Sequence, residues 1–169
     1  MVEAEVLHED DRVELLDGEI VEMSPIGPPH AGCVRRLTAL FARRLRDRAI
    51  VSVRNPMILD RWSEPQPDIA VLAPSGDFYS TVHPRPRDVL FAVEVIATSG
   101  GYDRTLKLPL YARAGLREVW LVDVRAKAVD VYTRPALAGF RKHERLVPGR
   151  VVAPLAFPRL RFRVRDILG

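Results

Sequence analysis

A chain of 169 residues with 47% apolar and 28% charged side chains fits one globular domain with a sizeable core. No stretch approaches the ~18 consecutive apolar residues of a membrane span, and the acidic N-terminus lacks the basic start and apolar run of a secretory signal. The single cysteine, Cys33, cannot form an internal disulfide, so the expectation is a cytoplasmic protein with no membrane partner.

The net charge of +4 conceals an asymmetry. Residues 1–28 carry nine acids against Arg12 alone, and residues 29–48 carry six arginines against Asp47. Residues 49–133 balance, and residues 134–169 carry nine basic side chains against Glu144 and Asp166. A basic helix and a basic C-terminal extension can follow a phosphate backbone, or they can neutralise the acidic N-terminus. Sequence gives no spatial map to choose between them.

In chain order, Val13 to Met23 reads as a hairpin around Leu16-Asp17-Gly18, where Asp-Gly supplies the positive backbone angle of a tight turn. Ser24 to Pro29 is a Pro/Gly loop, and Pro29 suits the first turn of a helix running to about Arg48. Val34, Leu37, Phe41 and Leu45 line one face of that helix; Arg35, Arg36, Arg43 and Arg46 fall away from it. Ile50 to Val53 and Met57 to Leu59 read as short strands. Asp68 to Leu72 is a compact apolar strand entered through Pro65-Gln66-Pro67. A breaker-rich loop follows from Ala73 to about Pro86.

Val89 to Ile96 is the most hydrophobic stretch, and its lack of alternation implies burial on both faces of a sheet. A helix is expected within Asp103 to Ala114, capped by Gly115. Pro109 inside it requires a kink or a true start near Lys107. Val119 to Val122 and Val129 to Tyr132 give a strand pair, and Phe140 to Leu168 reads as short strands and loops edging the sheet. The order predicts a single α/β domain over residues 1–169, with a mixed central sheet flanked by helices.

Glu94 is the only polar member of its strand. A lone buried carboxylate is costly by several kcal/mol unless it is paired, hydrogen-bonded or bound to a cation. A purely structural pairing with an arginine such as Arg104 is the plain alternative. Asp68, directly after Pro67, is a second carboxylate in a similar setting. Two carboxylates brought together raise each other's proton affinity unless a cation neutralises them, and Mg²⁺ does so with oxygen ligands and retained waters. Lys107, on the following helix, is placed to reach back over such a site; taken alone, it reads as a solvated helix lysine.

Pro67-Asp68, then Glu94, then a lysine displaced onto the next helix resembles the PD-(D/E)XK nuclease superfamily, with restriction-endonuclease-like folds. More closely, the chain is similar to the Uma-type putative restriction endonucleases. The segments that carry the likeness are Glu14-Leu15-Leu16-Asp17-Gly18-Glu19, Met23-Ser24-Pro25, His30, Gln66-Pro67-Asp68-Ile69-Ala70-Val71 and Ala92-Val93-Glu94-Val95-Ile96. They continue with Tyr102-Asp103-Arg104, Lys107, Tyr111-Ala112-Arg113-Ala114-Gly115 and Arg117-Glu118-Val119-Trp120-Leu121-Val122-Asp123, together spanning roughly residues 12 to 133.

The resemblance implies phosphodiester hydrolysis dependent on Mg²⁺ or Mn²⁺. Asp68 and Glu94 take the metal-ligand positions, Lys107 that of the catalytic lysine, and Glu14 the N-terminal acidic position with a contact to water at the metal. Two departures stand out. Ile96 occupies the place of the superfamily lysine two residues after the acid, so Lys107 substitutes for it. The loop after the acidic strand reads Ala97-Thr98-Ser99-Gly100-Gly101 where the family is richer in Ser, Pro and Thr.

Other residues read more plainly. Ser99-Gly100-Gly101 is a flexible turn before it is a phosphate loop. His30 either caps the first helix or points into the cleft, and Cys33 is a small core residue rather than a nucleophile. Asp103 pairs with Lys107 on the helix, Asp123 ends its strand, and Tyr102, Tyr111 and Trp120 pack. The functional expectation is a metal-dependent endonuclease acting on DNA, with a two-fold homodimer suited to cutting both strands. The alternative is an inactive nuclease-fold subunit that binds nucleic acid or a protein.

Overall fold

The computed structural model describes residues 11–23, 25–97 and 103–169. The Ser99-Gly100-Gly101 turn and Tyr102 lie outside the described residues, as do the side chains of Asp103 and Arg104.

Strands β1 (Val13–Leu16) and β2 (Glu19–Glu22) form the expected hairpin, with Asp17 and Gly18 at φ 53° and 85°. The hairpin is a separate two-stranded sheet. It is tied to the 60–66 segment through Glu64 N–H to the Leu15 carbonyl (2.7 Å) and Gly18 N–H to the Trp62 carbonyl (2.8 Å). Helix α1 (Pro28–Leu45) begins on the two prolines and ends where Arg46 takes a left-handed φ of 51°. Its inner face buries Cys33, Val34, Leu37, Leu40, Phe41 and Leu45.

The central sheet has the order β3 (Ile50–Ser52), β4 (Ile69–Leu72), β5 (Val89–Ile96), β6 (Glu118–Asp123), β7 (Ala128–Ala136), β8 (Gly139–Leu146). Only β5 and β6 run parallel, because the chain between them crosses over through helix α2 (Leu108–Arg113). This is the expected mixed α/β fold. Every residue of β5 except Leu90 is buried, since α1 covers one face of the sheet and α2 the other. On the α1 face Phe41 meets Phe91 and Phe162 edge-on at 5.5 and 5.3 Å, and Phe91 stacks on Trp120 at 4.9 Å. On the α2 face the buried side chains are aliphatic apart from Met57 and Tyr111, with Tyr79, Tyr132 and Phe140 packed at the margin. Short strands β9 (Val151–Val152) and β10 (Phe162–Arg163) pair separately, and helix α3 (Val164–Leu168) packs on α1.

Three features differ from expectation. Met57 to Leu59 forms no strand: Met57 and Leu59 donate to the carbonyls of Pro65 and Ser63 in the segment that follows, while Ile58 donates to that of Pro84. Pro56, Pro65 and Pro67 bracket this region and remove the donors a ladder needs. The chain after Phe140 begins not with a short strand but with β8, an eight-residue strand whose exposed charged side chains suit a sheet edge. The basic face of α1 is also used internally. Arg36 Nη1 and Arg44 Nη2 donate to the carbonyls of Leu168 and Arg161, and Arg44 and Arg48 lie over the rings of Phe162 and Phe157. These arginines therefore hold the C-terminal segment in place.

Of the two outcomes expected for Pro109, the structure has a start beside Lys107. A π-helical turn spans Asp103–Lys107, and α2 starts at Leu108, so Pro109 falls in its first turn. At the other end Gly115 has φ 82°, with Leu116 N–H on the Tyr111 carbonyl and Gly115 N–H on the Ala112 carbonyl. This is a Schellman closure.

Glu118 is a buried acid remote from the sheet end described below. It accepts the Trp120 indole N–H at 2.7 Å and the Leu155 N–H at 2.6 Å, so it fastens the C-terminal segment to β6. Burial pushes its carboxyl above the ordinary range, partly offset by these two bonds.

Phe41→Ala is expected to lower stability by about 3–5 kcal/mol in urea unfolding, whereas Leu137→Ala, at an exposed hairpin tip, changes it by less than about 0.5 kcal/mol. The raised Glu118 carboxyl has a pH signature. As pH climbs through the ordinary carboxyl range the unfolded chain releases this proton first, so the folded state loses stability until Glu118 ionises in it too. In Glu118→Gln that decline should disappear from a plot of urea midpoint against pH.

Candidate active site

The antiparallel pairing of β4 and β5 aligns Ile69 with Val93, and the next step brings Asp68 beside Glu94. Each carboxylate accepts a backbone N–H from the other's strand segment. Asp68 N–H donates to Glu94 Oε2 at 3.2 Å, and Val95 N–H donates to Asp68 Oδ2 at 2.9 Å. Both side chains are buried, at 6% and 2% exposure for the two residues. Pro67 contributes by placing Asp68 one residue before the ladder, where its own N–H is free to turn toward Glu94.

Lys107 closes the π-helical turn, and Tyr111 lies four residues later on the same helical face. Both reach Glu94 Oε1, the ammonium at 3.2 Å and the phenol hydroxyl, as donor, at 2.6 Å. A π-turn adds a residue to one helical turn and is frequent where a helix presents functional groups. On its other side Lys107 Nζ lies 2.8 Å from Glu14 Oε1, and Glu14 also accepts the Gln66 N–H at 2.6 Å. Glu14 comes from β1, so the hairpin, the strand entry at Gln66, the central strand and α2 converge on one ammonium.

His30 stands in the first turn of α1, and its Nε2 lies 2.8 Å from Asp68 Oδ2. It points into the cleft rather than capping the helix, whose N-cap position is Gly27. Arg54 Nε lies 3.5 Å from Asp68 Oδ1. The four sequence-selected residues Asp68, Glu94, Lys107 and Glu14 are thus brought together.

Arg54 and the hydroxyl of Tyr111 were not legible in the sequence. Arg54 sits in a turn with no motif, and Tyr111 reads as a packing residue because its ring is fully buried. Cys33 is buried in the α1 core with its thiol pushed up to about 11 by burial, which excludes it as a nucleophile near neutral pH. Asp123 accepts the Ala126 N–H in the turn after β6.

Two carboxylates on adjacent strands match the donor chemistry of Mg²⁺, which takes one or two carboxylates and keeps several waters. Asp68 Oδ1 accepts no hydrogen bond among the described residues and faces Arg54 Nε at 3.5 Å. Among the described residues no group of three or more His, Cys, Asp or Glu side chains is spaced to enclose a metal. A separate cavity of about 490 Å³, lined in part by Arg85, Arg87 and Arg117, lies at the start of β5, the end of the strand away from Glu94.

Replacing the ammonium tests how far the centre depends on it. Lys107→Met would leave Glu14 and Glu94 buried without their shared cation, and is expected to destabilise the protein by about 3–5 kcal/mol. Adding Glu14→Gln should recover part of that loss in the same urea titration.

Comparison with known proteins bears on this geometry. A family model, Uma2, described as putative restriction endonuclease, matches residues 2–165. No curated protein matches the chain. Among solved structures, the chain is similar to a putative nuclease belonging to DUF820 from Anabaena variabilis ATCC 29413. The two are 15% identical with a TM-score of 0.76, covering 98% of this chain and 94% of that one. At that identity the likeness establishes a shared fold. No helix among the described residues is long and apolar enough to cross a membrane. With the family model spanning nearly its whole length, this chain belongs to the Uma2 family of putative restriction endonucleases.

Proposed function

We propose that the protein is a divalent-metal-dependent endonuclease that hydrolyses phosphodiester bonds in DNA. The observation that carries this reading is the convergence of Glu14, Asp68, Glu94 and Lys107 in one buried centre at the end of β4 and β5. Family membership and the nuclease description of the Anabaena protein favour the same chemistry.

In this reading Asp68 and Glu94 hold Mg²⁺, with Mn²⁺ as a substitute. When bound, the ion supplies Lewis-acid polarisation and a water of lowered pKa. The remaining work falls to the chain itself. The Lys107 ammonium orients the attacking water and stabilises charge developing on the phosphate. Glu14 holds that ammonium from the opposite side and so fixes its direction. Tyr111 donates to Glu94 Oε1 and leaves its Oε2 to the Asp68 N–H, which locks the carboxylate rotamer. A two-fold homodimer would place two such centres on the two strands of a duplex.

One observation favours a second reading, a nuclease fold that binds nucleic acid or a protein without cutting. Both oxygens of Glu94 already carry hydrogen bonds, and the Lys107 ammonium is already shared between two carboxylates, so the centre is held together by the chain's own groups.

Incubating supercoiled plasmid with Mg²⁺ or Mn²⁺ separates the two. Wild type should nick it, and Asp68→Ala should be slower by about two orders of magnitude or more. Equal activity in both proteins would sink the nuclease reading. Salt-sensitive DNA binding with no metal-dependent turnover would favour the second.

A further inference from the structure

Among the described residues, two buried side-chain polar atoms lack a hydrogen-bond partner: His30 Nδ1 and Arg54 Nε. Both belong to residues that flank the Asp68 carboxylate, one on each oxygen. Buried polar groups are nearly always satisfied, so an orphaned Arg54 Nε facing Asp68 Oδ1 calls for a cause; His30 meets Asp68 through Nε2, and its orphan is the other ring nitrogen.

Arg54 also has a φ of 55°, a left-handed backbone that non-glycine residues rarely adopt. Its N–H is shared between the carbonyls of Pro67 and Asp68, each at 3.2 Å. The strained turn is therefore fastened to the backbone of Asp68 itself. Such outliers persist where the surroundings hold them, and they cluster at ligand-binding positions.

The two sides of the centre differ in how their cations are used. On the Glu94 side, Lys107 makes close contacts to two carboxylates, at 2.8 and 3.2 Å. On the Asp68 side, Arg54 is held near the carboxylate at 3.5 Å without a hydrogen bond to it. Its side chain is 28% exposed where that of Asp68 is 8%, so the guanidinium lies where solvent meets the buried acid. A planar fork of donors in that position matches the oxygens of a phosphate.

Resting on the nuclease reading above, we propose that Arg54 binds a non-bridging oxygen of the phosphodiester being cut. It is then a catalytic residue on the Asp68 side, facing Lys107 across the acidic pair. His30 holds Asp68 Oδ2 and so keeps the carboxylate in the orientation that leaves Oδ1 and the guanidinium side by side.

The test compares wild type with Arg54→Gln and Arg54→Lys in four measurements: plasmid cleavage with Mg²⁺, Mn²⁺ affinity by calorimetry, melting temperature, and the salt dependence of binding to a labelled DNA duplex in EDTA. Arg54→Gln should cleave about 100-fold more slowly while Mn²⁺ affinity stays within about threefold of wild type. Arg54→Lys should fall between the two, since it keeps the charge and loses the fork. The slope of log affinity against log salt should drop by about 1 in Arg54→Gln, the signature of one lost phosphate contact.

Cleavage by Arg54→Gln at the wild-type rate overturns the proposal. So does a loss of activity that tracks a loss of Mn²⁺ affinity, which would place Arg54's effect in Asp68. If wild type binds DNA and does not cut it, the nuclease reading fails alone, and the salt slope decides: unchanged overturns the Arg54 contact, reduced by about 1 upholds it. If wild type does not bind DNA, both fall together. Should Arg54→Gln fail to fold, the same comparisons are read from Arg54→Lys.

Discussion

The Lys107 ammonium sits between Glu14 and Glu94, and the arrangement of the molecule around it follows from the difficulty of burying charge. Glu94 lies in a central strand buried at all but one residue, Glu14 in a hairpin outside the main sheet, and Lys107 on the crossover between parallel strands. A buried carboxylate with no partner would be destabilising by several kcal/mol, so each acid fixes the position of the element carrying the cation. The hairpin, which shares no ladder with the central sheet, is registered on it through Glu14, Gln66 and the Leu15–Glu64 bridge. The π-turn before α2 has the same origin, since it sets Lys107 and Tyr111 over one oxygen of Glu94.

The rest of the fold isolates that centre. The aromatic cluster of Phe41, Phe91, Trp120 and Phe162 locks α1 onto one face of the sheet, and α1 in turn carries His30 to Asp68. The basic C-terminal extension packs against α1. Arginine side chains of α1 bond its carbonyls and cover its rings, and Glu118 anchors it to β6. Three of the six arginines in residues 29–48, Arg36, Arg44 and Arg48, thus fasten the C-terminal segment.

Elements with their own physical signature were legible from the chain alone. The hairpin followed from Asp17-Gly18, α1 from prolines at its start and apolar spacing along it, β5 from its unbroken apolar run, and the end of α2 from Gly115. Met57 to Leu59 was not, because a ladder there needs donors from its neighbour as well as acceptors, and prolines supply carbonyls without N–H groups. The edge strand β8 was obscured by its charges, which conflict with a buried strand and agree with an exposed one.

For the centre itself, the sequence determined which side chains cannot be left unpartnered: Glu94 in an apolar strand and Asp68 at the mouth of another, with Lys107 and Glu14 joined to them by family likeness. Burial cost is a local property, readable from the residues on either side. Tertiary structure decided which groups meet those acids. His30, Arg54, Tyr111 and the N–H groups of Gln66, Asp68 and Val95 arrive from segments as far as 52 residues apart in sequence, brought there by strand register and helix placement. Nothing in the local sequence marks Arg54 or says which acid His30 and Tyr111 will meet, because a hydrogen bond to a distant carboxylate leaves no periodicity in the chain that donates it.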